Sequence, residues 1–195
     1  HWFSTMFGVI IFAGGMVSGF ATIGLFGLWL TKNGTLKNTL NEWHFHDCAK
    51  LMWGFVIFWT YTSFSQYFLI WYGNIAEETA WYYVRMHHGW ERIGILVILG
   101  HFALPFWVLL SRHMKRNRYA FALVASWMLF MHYVDLYYMA MPNLHHGFHP
   151  SWLDAACFFG IGGVFLAVVM RISGKDAIIA HRDPQLHASL NYDNF

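Results

Sequence analysis

The sequence predicts an all-α integral membrane protein, with five transmembrane helices forming a four-helix-type bundle plus one further helix. Three observations carry that reading. The composition is 57% hydrophobic, 21% aromatic and only 11% charged, which excludes an ordinary soluble domain. Five apolar stretches are each long enough to cross a hydrocarbon core of about 30 Å. The remaining Lys and Arg residues gather at the ends of these stretches and in their connections.

The first span covers about residues 3–30 and contains Gly15-x-x-x-Gly19, a spacing that lets helices approach closely. A second span is expected over 48–72. The third, over 90–110, contains Pro105, which removes a backbone donor and crowds the preceding turn, so a kink is expected there. The fourth runs over 119–141 and stops before Pro142. The fifth, over 152–171, holds Gly160-x-Gly162-Gly163, again suited to close packing. Residues 1–172 are thus read as the transmembrane region. Residues 173–195 lack helical periodicity and mix Pro, Asn and Asp, so they read as a cytoplasmic tail that binds a neighbour.

With five alternating crossings, ten of the twelve Lys and Arg residues fall on one side, and only Arg85 and Arg92 on the other. The positive-inside rule then places the tail in the cytoplasm and the segment 142–151 outside. The chain opens on His1 with no basic leader or cleavage site, and reads as a piece of a longer protein. Its two cysteines, Cys48 and Cys157, form no Cys-x-x-Cys or Cys-x-x-Cys-His motif. That argues against an attached c-type haem or an iron-sulfur cluster held by this chain alone.

Polar residues run along one side of the second span. At 100° per residue, Asp47, Gly54, Tyr61 and Ser65 fall within about 40° of one another, flanked by Lys50 and Thr62. The stripe is about 27 Å long at about 1.5 Å per residue. A charge at the centre of a lipid-facing helix costs about 2.5 to 3.5 kcal/mol, so the stripe is expected to face a bundle interior or water, as a proton-bearing path. The plainer reading is an interfacial Asp47–Lys50 salt bridge with Lys50 reaching to the headgroups. His44 and His46 at its mouth read as interfacial residues.

A second polar group is expected at the outer side. His87, His88, Glu91 and Arg92 open the third span, His132 and Asp135 share a face of the fourth, and His145, His146, His149 and Asp154 lie at the same level. His87, Glu91 and Arg92 are candidates for a quinone site, which needs hydrogen-bonding groups and a route for protons. Alternatively, these residues pair among themselves and close the bundle. Two further readings use the same histidines. His101 facing His132, with His87 facing His146, would suit b-type haems, but His146 lies beyond the helix-ending Pro142. Histidine boxes of a di-iron site would have to gather His44 and His46 from the opposite side, so no metal site is expected.

The strings Trp43-His44-Phe45-His46-Asp47-Cys48-Ala49-Lys50-Leu51 and Gln66-Tyr67-Phe68-Leu69-Ile70-Trp71-Tyr72-Gly73-Asn74-Ile75-Ala76-Glu77-Glu78-Thr79 resemble the ActF membrane subunits of bacterial alternative complex III. So do Met141-Pro142-Asn143, Asp183-Pro184 and Asn191-Tyr192. The resemblance covers most of the chain from about Trp43 onward. ActF belongs to the NrfD/PsrC-like membrane proteins, whose larger members carry two four-helix bundles and extra helices. Five spans would match a C-terminal half.

The resemblance implies a subunit of a respiratory quinol:cytochrome c oxidoreductase in the bacterial inner membrane. Implied partners are a homologous membrane subunit (ActC), an iron-sulfur subunit, c-type cytochromes and sometimes a terminal oxidase. Iron-sulfur clusters and c-type haems would sit in those partners, and quinone or quinol is the small-molecule ligand, with ActC the better candidate for its site. Asp47, Lys50 and Tyr61 would then belong to an inner proton route, with Ser65 along the same stripe, and His132 and Asp135 to its outer part. A purely structural anchor is the alternative from a different class, and a b-type haem subunit is the third.

Overall fold

The computed structural model describes residues 4–37, 39–144, 147–148, 151–175, 179 and 183–192. Every regular element among the described residues is helical. Two compact units divide the chain, His1–Gly147 and Phe148–Phe195.

In the first unit, α1 (Met6–Lys32) and α2 (Glu42–Gly73) pack along one another. Asn41 starts α2, accepting from the amides of Trp43 and His44 while His44 Nδ1 reaches back to the Asn41 amide, so early donors are satisfied in both directions. A short helix, α3 (Ala76–Arg85), follows. The third apolar stretch is built of α4 (Trp90–Val97), a π-helical turn (Ile98–Ala103) and α5 (Leu104–Leu110). Basic α6 (Arg112–Arg116) leads to α7 (Arg118–Ala140), whose amides at Tyr119 and Ala120 are capped by Asn117. A 3-10 turn, Met141–Asn143, ends it at Pro142.

Four helices are long and apolar enough to cross a membrane: Met6–Lys32, Trp90–Leu110, Arg118–Asn143 and Trp152–Ser173, the signature of a membrane protein. α2 is longer than any of them at 32 residues but is not in that class by hydropathy. Its run from Thr60 through Gln66 is polar at Thr60, Tyr61, Thr62, Ser63, Ser65 and Gln66.

Pro105 acts through the π-helical turn. The Leu104 amide bonds Leu99 O, one residue further back than in an α-helix. The next amide in that pattern would serve Gly100 O, but Pro105 has none. Trp127 of α7 takes its place, donating Nε1–H to Gly100 O at 2.8 Å. The indole thereby completes the irregular turn that carries His101.

Close helix contact falls elsewhere than the sequence spacing suggested. Gly15 and Gly19 meet only open space, as do Gly160, Gly162 and Gly163. Gly14 and Gly24 make the approaches instead, to the His132 imidazole and the Phe121 ring. The buried face of α1 passes through Ile10, Ala13, Gly14, Val17 and Ala21, so the small-residue motif lies one position round the helix from it.

The core has two layers. Val17, Ala21, Met52, Val56, Phe121 and Met128 belong to the first, toward the end that holds α6, and Ile10, Ala13, Trp59, Val97 and Met131 form the second. Between membrane helices such interlocked side chains supply most of the association energy, since lipid is as apolar as leucine.

In the second unit, α8 (Trp152–Ser173) starts at a capping box in which the Leu153 amide donates to Ser151 Oγ and the Ser151 amide to Asp154 Oδ2. It buries none of its residues. The tail, read as aperiodic, contains one short helical turn, α9 (Leu186–Leu190), begun where Asp183 accepts from the Gln185 amide.

Candidate functional site

A polar group sits inside the apolar second layer. His101 comes from the π-helical turn, His132 and Asp135 from one face of α7, and Trp59 from α2, with Gly14 of α1 leaving room for the His132 ring. Trp59 Nε1 donates to Asp135 Oδ2 at 3.0 Å. The same indole lies against the His101 ring, centroids 4.2 Å apart, and the His101 and His132 rings are 6.2 Å apart. His101 is fully buried and Asp135 is 6% exposed.

No protein group among the described residues bonds either ring nitrogen of His101, nor Nδ1 of His132. A neutral imidazole has one N–H to give and one lone pair to receive, and burying either unsatisfied costs about 1–3 kcal/mol. Such groups in a native interior call for an explanation, often a functional one. Two imidazoles and a carboxylate with atoms mutually within 4.8 Å form a set able to pass a proton or, chemically, to gather on one metal ion. The haem reading foresaw His101 facing His132, and they do face each other. His101 packs on Trp59, and the His132 ring lies against Gly14. The second pair would need His146, which with His145 and His149 lies outside the described residues.

Polarity continues from this group along the inward face of α2. Thr62 is 2% exposed and returns its hydroxyl to Phe58 O and Trp59 O. One turn further, buried Gln66 accepts from Ser4 Oγ at 3.3 Å. Toward the other end the same face is apolar, through Val56, Met52 and Ala49.

The stripe expected to face the bundle interior lies on the opposite side of α2. The buried face runs through Phe45, Ala49, Met52, Val56, Trp59 and Gln66, about 180° from Asp47, Gly54, Tyr61 and Ser65. Tyr61 is 67% exposed, Gly54 is exposed, and Ser65 is half-buried. Helical periodicity grouped these residues correctly, but α1, α5 and α7 claim the larger apolar face. Asp47 and Lys50 make an ion pair at 2.9 Å.

His87 stands in the exposed turn before α4, and Glu91 and Arg92 are exposed at the start of that helix. Glu91 accepts from the Gly89 amide at 2.9 Å at the start of α4, and His87 Nδ1 lies 2.7 Å from Tyr83 O. Glu91 thus serves a local backbone group, and His87 both the Tyr83 carbonyl and the Tyr83 ring, 4.2 Å away.

In the sequence Arg85 counted only as a charge outside the spans. It is fully buried and stacks over Trp81 at 3.4 Å. Its guanidinium donates to Trp81 O, Asn143 Oδ1 and Met139 O, the last at 2.6 Å. Burial pushes its pKa down to about 10, which still leaves it charged at neutral pH. The carbonyls ending α7 are natural acceptors for it, and it ties α3 to that terminus.

Neither a protein-family model nor a curated protein matches this chain.

Proposed function

We propose that this chain is a proton-conducting and scaffolding membrane subunit of a respiratory quinol:cytochrome c oxidoreductase of the alternative complex III type. The observation that carries the reading is the buried His101–His132–Asp135 group with its unpaired imidazole nitrogens. Ionisable groups deep in a helical membrane bundle are costly and mark proton or substrate routes. The family resemblance supplies the complex, with quinol oxidation, iron-sulfur clusters and c-type haems assigned to partner subunits.

α2 serves as the fifth span. Its 32 residues reach about 48 Å, ample for the bilayer, and its less apolar composition suits a helix covered by protein. Lys32, Lys37, Lys50 and the α6 cations then lie on the cytoplasmic side of the inner membrane together with the tail. The buried group stands in the outer half, and Thr62 and Gln66 extend it outward. Asp47 and Lys50 stand at the cytoplasmic end, Tyr61 and Ser65 at the level of Thr62 and Gln66, and this stripe carries protons only with a neighbouring subunit against the outer face of α2, which the homologous membrane partner would provide.

Substituting Asp135→Asn preserves an acceptor for Trp59 and removes the exchangeable proton. In the assembled complex, reconstituted in vesicles, it should reduce protons released per electron while quinol oxidation persists. Unchanged proton release in an intact Asp135→Asn complex would remove this group from any proton route.

A further inference from the structure

At the end of the bundle opposite Arg85, α6 folds against the start of α2 and concentrates positive charge. Arg116 stacks on Trp43 at 3.8 Å, with Arg112 above the same ring at 5.7 Å, and Lys115 stands 5.7 Å from the Trp53 ring. Trp53 is itself held by its Nε1–H bond to Phe106 O at 3.1 Å. These aromatic platforms fix cations on adjacent turns that would otherwise separate. Asp47 neutralises Lys50, but neither Arg112 nor Lys115 has a carboxylate within ion-pair distance among the described residues. Desolvation, and then the nearby charges of Lys50 and Arg112, lower the Lys115 pKa, as expected where like charges lack a counter-ion.

The surroundings are those of a membrane–water boundary. Trp107 is 68% exposed and Leu110 50% exposed at the end of α5, and Tyr119 is 85% exposed at the start of α7. Aromatic side chains at such positions sit at headgroup level. An anion bound between Arg112 and Lys115 would have apolar side chains directly on its membrane side, a combination that fits a lipid better than a soluble anion.

We propose that Arg112 and Lys115 form a binding site for the phosphodiester of an anionic phospholipid, with its acyl chains along the exposed end of α5. The site depends only on insertion of the chain in a bilayer, so it stands or falls separately from the proton route. Each basic side chain near a membrane surface contributes about fivefold in affinity for anionic lipid.

The test is lipid binding to the purified complex containing the full chain, delipidated and titrated with phosphatidylglycerol while bound lipid is counted by native mass spectrometry. Arg112→Gln with Lys115→Gln should weaken binding about thirtyfold, and each single substitution about fivefold. Lys32→Gln with Lys37→Gln, which removes equal charge from the α1–α2 connection, should change it less than about twofold. Phosphatidylcholine binding should be the same in all variants. Phosphatidylglycerol affinity in the Arg112 and Lys115 variants unchanged from that of the unmodified chain, or a loss in the Lys32/Lys37 control as large as in the Arg112/Lys115 double variant, would overturn the site. Displacement of the lipid by millimolar inorganic phosphate would overturn its assignment to a lipid and leave a soluble anion as the ligand.

Discussion

Trp59 gives its indole proton to Asp135 across the contact between α2 and α7, at 3.0 Å and out of reach of solvent. The bond ties the one carboxylate of the buried group to a ring that also packs on His101. Hydrogen bonds between membrane helices are worth about 0.6 kcal/mol on average and about 1.7 at most. Trp59→Phe should therefore cost about 1–2 kcal/mol, since it also leaves a buried acceptor unpaired, whereas Asp135→Asn should cost less. A double-mutant cycle of Trp59→Phe with Asp135→Ala, which removes the acceptor that Asn would keep, read by unfolding in detergent should give a coupling of about 0.6–1.7 kcal/mol. Strict additivity would mean that the bond is not made in the membrane-embedded protein.

The π-helical turn makes a second prediction. Because Pro105 cannot serve Gly100 O, Trp127 donates to that carbonyl in its place, and Trp127→Phe should destabilise by about 1–2 kcal/mol. Trp107, 68% exposed, is the control: Trp107→Phe should stay within about 0.5 kcal/mol. Comparable melting temperatures for the two variants would show that the indole does not hold the turn.

The long helices were legible in the sequence because hydropathy and length suffice for them: the expected spans 3–30, 90–110, 119–141 and 152–171 differ from the observed helices by only a few residues. His132 and Asp135 were legible as a pair because residues three apart share a helix face. Their partners were not. Trp59 is 76 residues from Asp135 in sequence, and no local pattern marks an indole as a donor to it. His101 reached attention only through a haem spacing, while the π-helical turn that aims it inward depends on Trp127 from another helix. The polar stripe of α2 shows the converse error. Periodicity says which residues share a face, but not which face the rest of the protein covers.

The proposal that α2 is a fifth span predicts the position of the tail. In a chain carrying Cys48→Ser and Cys157→Ser, Lys175→Cys should resist an impermeant thiol reagent applied to intact spheroplasts and react after permeabilisation. Leu144→Cys, just beyond the 3-10 turn and 71% exposed, should react in intact cells. The reverse pattern would invert the orientation, and equal labelling of both would remove one crossing.

The approach of α1 to the buried group gives the most local test. A Cβ added at Gly14 would stand 2.6 Å from His132 Cε1 and 2.7 Å from its Nδ1, closer than carbon and ring atoms tolerate, so either the imidazole or the helix must move. At Gly15 the same methyl meets nothing within 4 Å. Replacing glycine by alanine in a helix gains about 0.5–1 kcal/mol, while overpacking a close-fitted core costs about 1–3 kcal/mol. Gly15→Ala should therefore be neutral or slightly stabilising, and Gly14→Ala should lose about 1 kcal/mol net. Function separates the two further. If His132 works with Asp135, displacing its ring should lower protons released per electron in Gly14→Ala complexes, with Gly15→Ala indistinguishable from the unmodified complex. Equal stability and equal coupling in both variants would mean that α1 does not press on His132, and the buried group would lose the wall that fixes its geometry.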